Sequence, residues 1–319
     1  MLRYIVRRVL IGVLILMIVC ALTFVFFRVL PTGNPAVLRA GRDPQPKLIK
    51  EIEGVLGLNK PLIVQFWDYM KEFFLHFNLG YSYYSQESVR GLIAERLPAT
   101  LSLTVGAAVL WVLGGLSVGV ISALRRHTIV DRLSMGTALL LLSVPEFWLG
   151  FVMLLLFAND IGKFKILPGA GSYVGLTYDP WKWFTSLVMP WIVLASGGAA
   201  IYARLMRSSL SETMREDYIR TARAKGLRER LVVRQGVRSA VNPIVTLLGL
   251  EIGVLLGGAV LVEAVFNIPG IGVENYKAIQ SSNFPVVQGT VLLASSFIIV
   301  ANIVVDIAYA YLDPRVRYS

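Results

Sequence analysis

The chain alternates long apolar runs with polar intervals, and the apolar runs are longer than a soluble core requires. Runs at about Val9–Leu30, Ala99–Leu124, Leu133–Phe157, Ser186–Met206, Ile244–Phe266 and Val286–Leu312 each approach or exceed the ~18 apolar residues that cross a bilayer as a helix. The pattern predicts an all-α integral membrane protein with six transmembrane helices. Pro98 marks the expected start of the second span. Pro145-Glu146 interrupts the third, where the chain is expected to kink or break. Glycines at 106, 114, 115 and 119 in the second span, and at 249, 253, 257 and 258 in the fifth, suit close helix approach in lipid.

The polar intervals divide the chain. Residues 1–30 form a first helix, 31–97 an outer helical subdomain, and 98–319 a five-helix body with a polar loop at 207–243. The outer interval opens on turn chemistry at Pro31-Thr32-Gly33-Asn34-Pro35. It continues into a helical patch at Leu62–Phe77 whose Phe66, Trp67, Tyr69, Phe73 and Phe74 read as core and interfacial anchors. A second outer loop, 158–186, leads into Trp181, Trp183 and Trp191, which read as an interfacial belt. Arg3, Arg7 and Arg8 precede the first span, which is too long for a signal-peptide core and is read as uncleaved; Arg28 at its far end is placed to snorkel.

Composition supports the membrane reading. Of 319 residues 55% are hydrophobic and only 16% charged, too few charges to cover a soluble protein of this size. The net charge of +11 sits in short loops beside the spans, which is a topogenic pattern and argues against nucleic-acid binding. The richest of these segments, around Arg204–Arg238, together with both termini and Arg125, Arg126 and Arg132, is placed in the cytoplasm, giving an N-in/C-in topology.

Several chemistries are missing. There is no phosphate-binding loop, no zinc-protease motif, no nucleophile elbow and no Cys/His metal spacing; the single cysteine, Cys20, cannot form an internal disulfide. The chain is therefore expected to be no enzyme, with no cofactor of its own. Glu146, Glu251, Glu263 and Asp306 are ionisable groups in or near spans, and each is read as structural ahead of a direct role in transport.

The stretch Tyr218–Pro243 is the exception to the apolar pattern. Seven Arg/Lys residues face one acid, Glu229. Glu216 and Asp217 suit a helix start, Gly226 a C-cap, and Pro243 the end of a second helix over Arg228–Val241. A helix–glycine–helix hairpin follows. Its charge either fixes topology or meets a partner, and charge alone leaves both open.

Here the chain resembles a known family. Tyr218-Ile219-Arg220-Thr221-Ala222-Arg223-Ala224-Lys225-Gly226-Leu227 is similar to the cytoplasmic coupling loop, the "EAA" loop, of dipeptide/oligopeptide-type (peptide/nickel) ABC importer permeases. Supporting matches are Leu30–Pro35, Leu56–Pro61, Arg96–Leu101, Phe266-Asn267-Ile268-Pro269-Gly270-Ile271-Gly272, and Asp306, Tyr309 and Asp313-Pro314-Arg315. Arg220 and Thr221 stand where the generic motif has Glu-Ala. The long segment after the first span resembles the first of two permease subunits.

The resemblance implies the type I ABC importer permease fold, with an extracytoplasmic insertion between helices 1 and 2, in a bacterial or archaeal plasma (inner) membrane. It implies a non-catalytic subunit that pairs with a second permease, two cytoplasmic ATPase subunits that carry ATP and Mg, and an extracytoplasmic solute-binding protein. Residues 220–227 would seat on an ATPase, and Pro269, Gly270 and Gly272 would form an outer turn. The implied cargo is a di- or oligopeptide; nickel, haem, glutathione or an oligosaccharide are the alternatives within the family. A secondary transporter would need coupling acids and an inverted repeat, and neither is visible.

Overall fold

The structure, a computed structural model, describes residues 2–29, 34–40, 45–55 and 57–312. The side chains of Arg28, Asp306 and Tyr309, and residues 30–33, 56 and 313–319, lie outside what it describes, so the expectations resting on them are not addressed. Among the described residues there are thirteen α-helices and no strand beyond isolated bridges. In chain order they are α1 (Leu2–Phe24), α2 (Pro35–Ala40), α3 (Pro46–Val55), α4 (Leu62–His76), α5 (Val89–Leu124), α6 (Ile129–Ser143), α7 (Glu146–Phe157), α8 (Pro180–Thr213), α9 (Asp217–Ala224), α10 (Glu229–Ala240), α11 (Asn242–Val265), α12 (Ile271–Gln280) and α13 (Phe284–Leu312). Among the described residues four stretches are long and apolar enough to cross a membrane: Ile5–Phe27, Val89–Leu124, Pro180–Thr213 and Phe284–Val304. The bent pair α6–α7 makes a fifth when its two helices are counted as one span.

The helices fall into two compact units. One comprises Met1–Leu97 with Glu274–Val304, the other Pro98–Val273 with Val305–Ser319.

In the first unit α4 supplies an amphipathic face to the apolar helices. Cys20, Met70, Phe73 and Leu292 form its buried core, with Phe66, Tyr69 and Phe74 packed against it, whereas Trp67 is exposed. Phe24 meets Phe66 edge-on at 5.4 Å. A side chain at Gly12 would run into the Ile299 side chain at 2.8 Å, so the α1 backbone lies directly against side chains of α13. The Tyr81–Tyr84 turn is tied across the chain: Tyr83 N–H donates to Asn283 Oδ1 (3.1 Å), Asn283 Nδ2 to Ser82 Oγ (2.8 Å), and the Tyr84 hydroxyl to the Ser281 carbonyl (2.6 Å). These bonds pair polar groups that burial would otherwise leave unsatisfied.

In the second unit α8 is the central helix. Asp179 caps it by accepting from the amides of Trp181 and Lys182, with Pro180 in the first turn, so it starts six residues before the apolar run expected at Ser186. The packing of α5 on α8 is reciprocal. The Trp191 ring of α8 lies over Gly106 of α5, and the Trp111 ring of α5 lies over Gly198 of α8. Added Cβ atoms would stand 2.1 Å and 1.8 Å from those rings. Further along, Gly115 and Gly119 meet the backbone carbonyls of Ala199 and Ala203, a small-xxx-small seam.

Two expectations are corrected here. The second span does not open at Pro98: Ser88 caps α5, its Oγ accepting from Gly91 N–H, and Pro98 lies in the helix interior. Hydropathy located the apolar run, but the amphipathic turns before it, with Val89, Leu92 and Ile93 buried, are helical as well. The second correction is Trp191. It is buried, with its Nε1–H donated to the Ser102 carbonyl at 2.8 Å, and it holds two helices together instead of marking an interface. Trp183 packs against the core, and only Trp181 stands exposed.

The expected interruption of the third span is a full break. Pro145 holds Val144 in an extended conformation (φ −88°, ψ 127°), and α6 and α7 meet at 109°.

Candidate functional site

The basic stretch folds as a hairpin, α9–turn–α10. One face of α9 carries Ile219 and Ala222, which pack on Val232 of α10 and on Met214, and these form a small core of their own. The other faces are exposed. Arg220, Thr221, Arg223, Ala224, Lys225, Gly226 and Leu227 all lie in the open, and Ala222 alone of the expected coupling residues is turned inward. Ala222 is therefore unavailable to a partner's surface; Ala224 and Gly226 are the small residues on the outside.

The turn is a complete Schellman motif. Gly226 takes φ +78°, its N–H donates to the Arg223 carbonyl (2.9 Å), and Leu227 N–H donates to the Ala222 carbonyl (3.3 Å). Arg223 bridges the turn to α10 with a forked pair of bonds to Glu229, at 2.8 and 3.3 Å. The guanidinium holds the Glu229 carboxyl below its ordinary range. Arg220 reaches only back to Asp217, at 3.3 Å, on a fully exposed surface.

The hairpin is fastened to α8. Gly236 of α10 lets Met214 and Leu210 close in, with an added Cβ only 2.8 Å from Met214 Sδ. Ser209 donates its hydroxyl to the Ala240 carbonyl at 3.0 Å. One turn back on α8, Arg207 forks onto Asp131 at the start of α6, Nε at 2.6 Å and Nη2 at 2.8 Å. Asp131 is buried and also accepts from Ser122 at the end of α5 and from the His127 amide. One carboxylate thus ties the ends of α5, α6 and α8 beside the hairpin. Its full complement of donors offsets the cost of burying it. Asp131 and Arg207 were not singled out by the sequence reading; the i,i+3 relation of Thr128, which caps α6, to Asp131 was the available signal.

The expected outer turn is a second Schellman motif. Asn267 takes the left-handed conformation (φ 49°), and Ile268 N–H donates to the Glu263 carbonyl at 2.8 Å. Pro269-Gly270-Ile271-Gly272 then wraps the Glu263 side chain, which is fully buried. Thr100 donates its hydroxyl to Glu263 Oε1 (2.6 Å) and accepts from Ile271 N–H (2.8 Å), while Val273 N–H donates to Oε2 (3.0 Å). The carboxylate of α11 thereby caps the first turn of α12. Gly270 and Gly272 are required by space: their Cβ atoms would lie 2.0 Å and 2.9 Å from that carboxylate. The structural role expected of Glu263 is the one seen.

No group of three or more potential metal ligands occurs among the described residues.

Comparison with known proteins covers the full chain. Residues 115–318 match the family model described as the binding-protein-dependent transport system inner membrane component, and residues 1–104 match the N-terminal model of such membrane components. The glutathione transport system permease protein GsiC of Pectobacterium atrosepticum is 40% identical over 320 residues, covering 100% of both chains. GsiC of Escherichia coli is 39% identical over the same length and coverage. A Brucella abortus protein named "Putative peptide transport system permease protein" is 39% identical over 316 residues, 99% of each.

Proposed function

The chain belongs to the family of binding-protein-dependent transport system inner membrane components, and from that premise we propose that it is the peptide-conducting permease subunit of an ABC importer, with α9 as the handle of a partner ATPase. In this reading α11 is a sixth span beside α1, α5, the α6–α7 pair, α8 and α13, and the Arg and Lys residues that flank the spans assign both termini and the hairpin to the cytoplasm by the positive-inside rule. The interval between α1 and α5 then lies outside, where a solute-binding protein delivers cargo. A second permease completes the path. ATP and Mg reside on two separate ATPase subunits.

The observation that carries this reading is the two-faced hairpin. Its exposed face presents Arg220, Thr221, Ala224 and Lys225, and its buried face is bolted to α8 through Gly236 and Ser209. A push on the exposed face is therefore delivered to the central helix, and through Arg207–Asp131 to α5 and α6. Peptide cargo is supported by the relatives named for glutathione, itself a tripeptide, and for peptides.

The test uses substitutions that leave the hairpin core untouched. Thr221→Trp and Lys225→Glu are expected to leave the protein in the membrane and abolish co-purification of the ATPase together with peptide uptake. Retention of both would sink the coupling assignment. Ala222→Trp is a poor probe, because it would burst the hairpin's own core.

A further inference from the structure

The break between α6 and α7 lines a cavity of about 310 Å³ in the second unit. Irregular backbone in a membrane protein is tolerated where it lines a cavity or is buried in protein. This cavity holds two acids, Glu146 at the first turn of α7 and Glu251 of α11, and among the described residues no Lys, Arg or His lines it. An acid at bilayer depth is costly on insertion scales, about 2.5–3.5 kcal/mol for Asp at a helix centre.

Two hydrogen-bonding groups in its wall are unspent. Glu251 Oε2 is enclosed, with no hydrogen-bond partner among the described residues. The Trp111 ring, only 7% exposed and pressed over Gly198, has an Nε1–H that also lacks a partner among the described residues. Its twin, Trp191, spends the same group on a backbone carbonyl. Buried polar groups in folded proteins are nearly always paired, so an unused donor and an unused acceptor in one cavity point to something that fills it. The rest of the wall is apolar, made of leucine, isoleucine, valine, Pro145 and two glycines, with the Ser196 hydroxyl already donated to the Val193 carbonyl.

We infer that this cavity receives the free ammonium end of a peptide in transit, with Glu251 and Glu146 as its charge partners and Trp111 Nε1–H donating to the first peptide carbonyl. The inference rests on the peptide-permease reading above. A bare inorganic cation satisfies the acids but leaves the indole donor and the apolar wall unused, and it is far smaller than the space. An α-ammonium followed by a carbonyl and a small side chain meets all three features.

The experiment is binding to the assembled transporter, second permease and ATPases included, without its solute-binding protein. Trialanine is the probe, by equilibrium dialysis, with trialanine amide and N-acetyl-trialanine as competitors. The amide is expected to compete and the acetylated peptide to fail. Glu251→Gln and Glu146→Gln are each expected to weaken trialanine binding about tenfold or more, as loss of a charged hydrogen-bond partner implies. Trp111→Phe, which keeps the ring, is expected to weaken it about fivefold. Glu146→Gln leaves Glu251 in place, so a loss of binding there is not a loss of Glu251's own contacts. Wild-type affinity in both Gln variants, or equal competition by the acetylated peptide, overturns the site. If the wild-type transporter binds no trialanine yet imports it with its binding protein, the site falls and the peptide reading stands. If it neither binds nor imports any peptide, both fall.

Discussion

The elbows at Gly226 and Asn267 use the same backbone device to opposite ends. Each ends a helix with a left-handed residue and a bond from the second residue beyond the C-cap back to the third from the end. At the first elbow the flanking residue is Leu227, exposed, and a Cβ added at Gly226 would meet nothing within 4 Å. At the second it is Ile268, buried, and the glycines that follow are pressed against a carboxylate that accepts from Thr100 and from a helix N-terminus. A turn packed on every side is a structural joint. A turn open on its outer side, with its inner side bolted to a long helix, is suited to be pushed.

The largest expected effect is at the packed elbow. Gly272→Val sets a branched side chain against the Val260 backbone, 2.9 Å from its Cα, and against the Glu263 carboxylate. We expect loss of about 3 kcal/mol or more and little folded protein, checked by the yield and thermal unfolding of the detergent-solubilised complex. Glu263→Gln keeps the shape but turns an NH2 toward donors. It is expected to cost about 2 kcal/mol, read as a lower midpoint in the same unfolding assay.

The open elbow should tolerate far more. Gly226→Ala pays only for the left-handed backbone, about 1 kcal/mol, with no clash. If its unfolding midpoint falls as far as that of Gly272→Val, the contrast between the two elbows is wrong. The smallest effect is pH-dependent. Arg223 depresses the Glu229 carboxyl, so the contribution of this pair is present above the ordinary carboxylate range and is lost as pH falls through the depressed folded value. The pair is solvent-exposed, and the effect is confined to local opening. Amide protection across Glu229–Ala240, taken relative to the intrinsic exchange rate at each pH, should fall in acid in the parent and lose that dependence in Glu229→Gln.

Much of this was legible in the chain. The α9–α10 hairpin and its glycine stop follow from local rules: acids at the helix start, glycine at the C-cap, Pro243 at the next helix. The break at Pro145 follows equally, because proline acts on its immediate neighbours. Helix starts were read too late at Val89 and Pro180, since hydropathy marks where a helix becomes apolar and not where its backbone bonds begin. Ala222 and Ala224 are alike in sequence, and only the packing of Ile219 on Val232 shows that the first faces in and the second out. Trp191 was read as an interfacial anchor because aromatics cluster there in general. Its true neighbour, Gly106, lies 85 positions earlier in the sequence.

The sequence by itself therefore determined the membrane class, the helix order, the two elbows and the family, since each depends on composition or on residues within a turn of one another. The tertiary structure alone decided which glycines are seats for tryptophan rings, which carboxylates are spent in capping and clamping, and that Glu251 and Trp111 are left with unused hydrogen-bonding groups in one cavity. Those facts depend on pairs scores of residues apart. Which of many small or acidic residues meet is set by how whole helices pack.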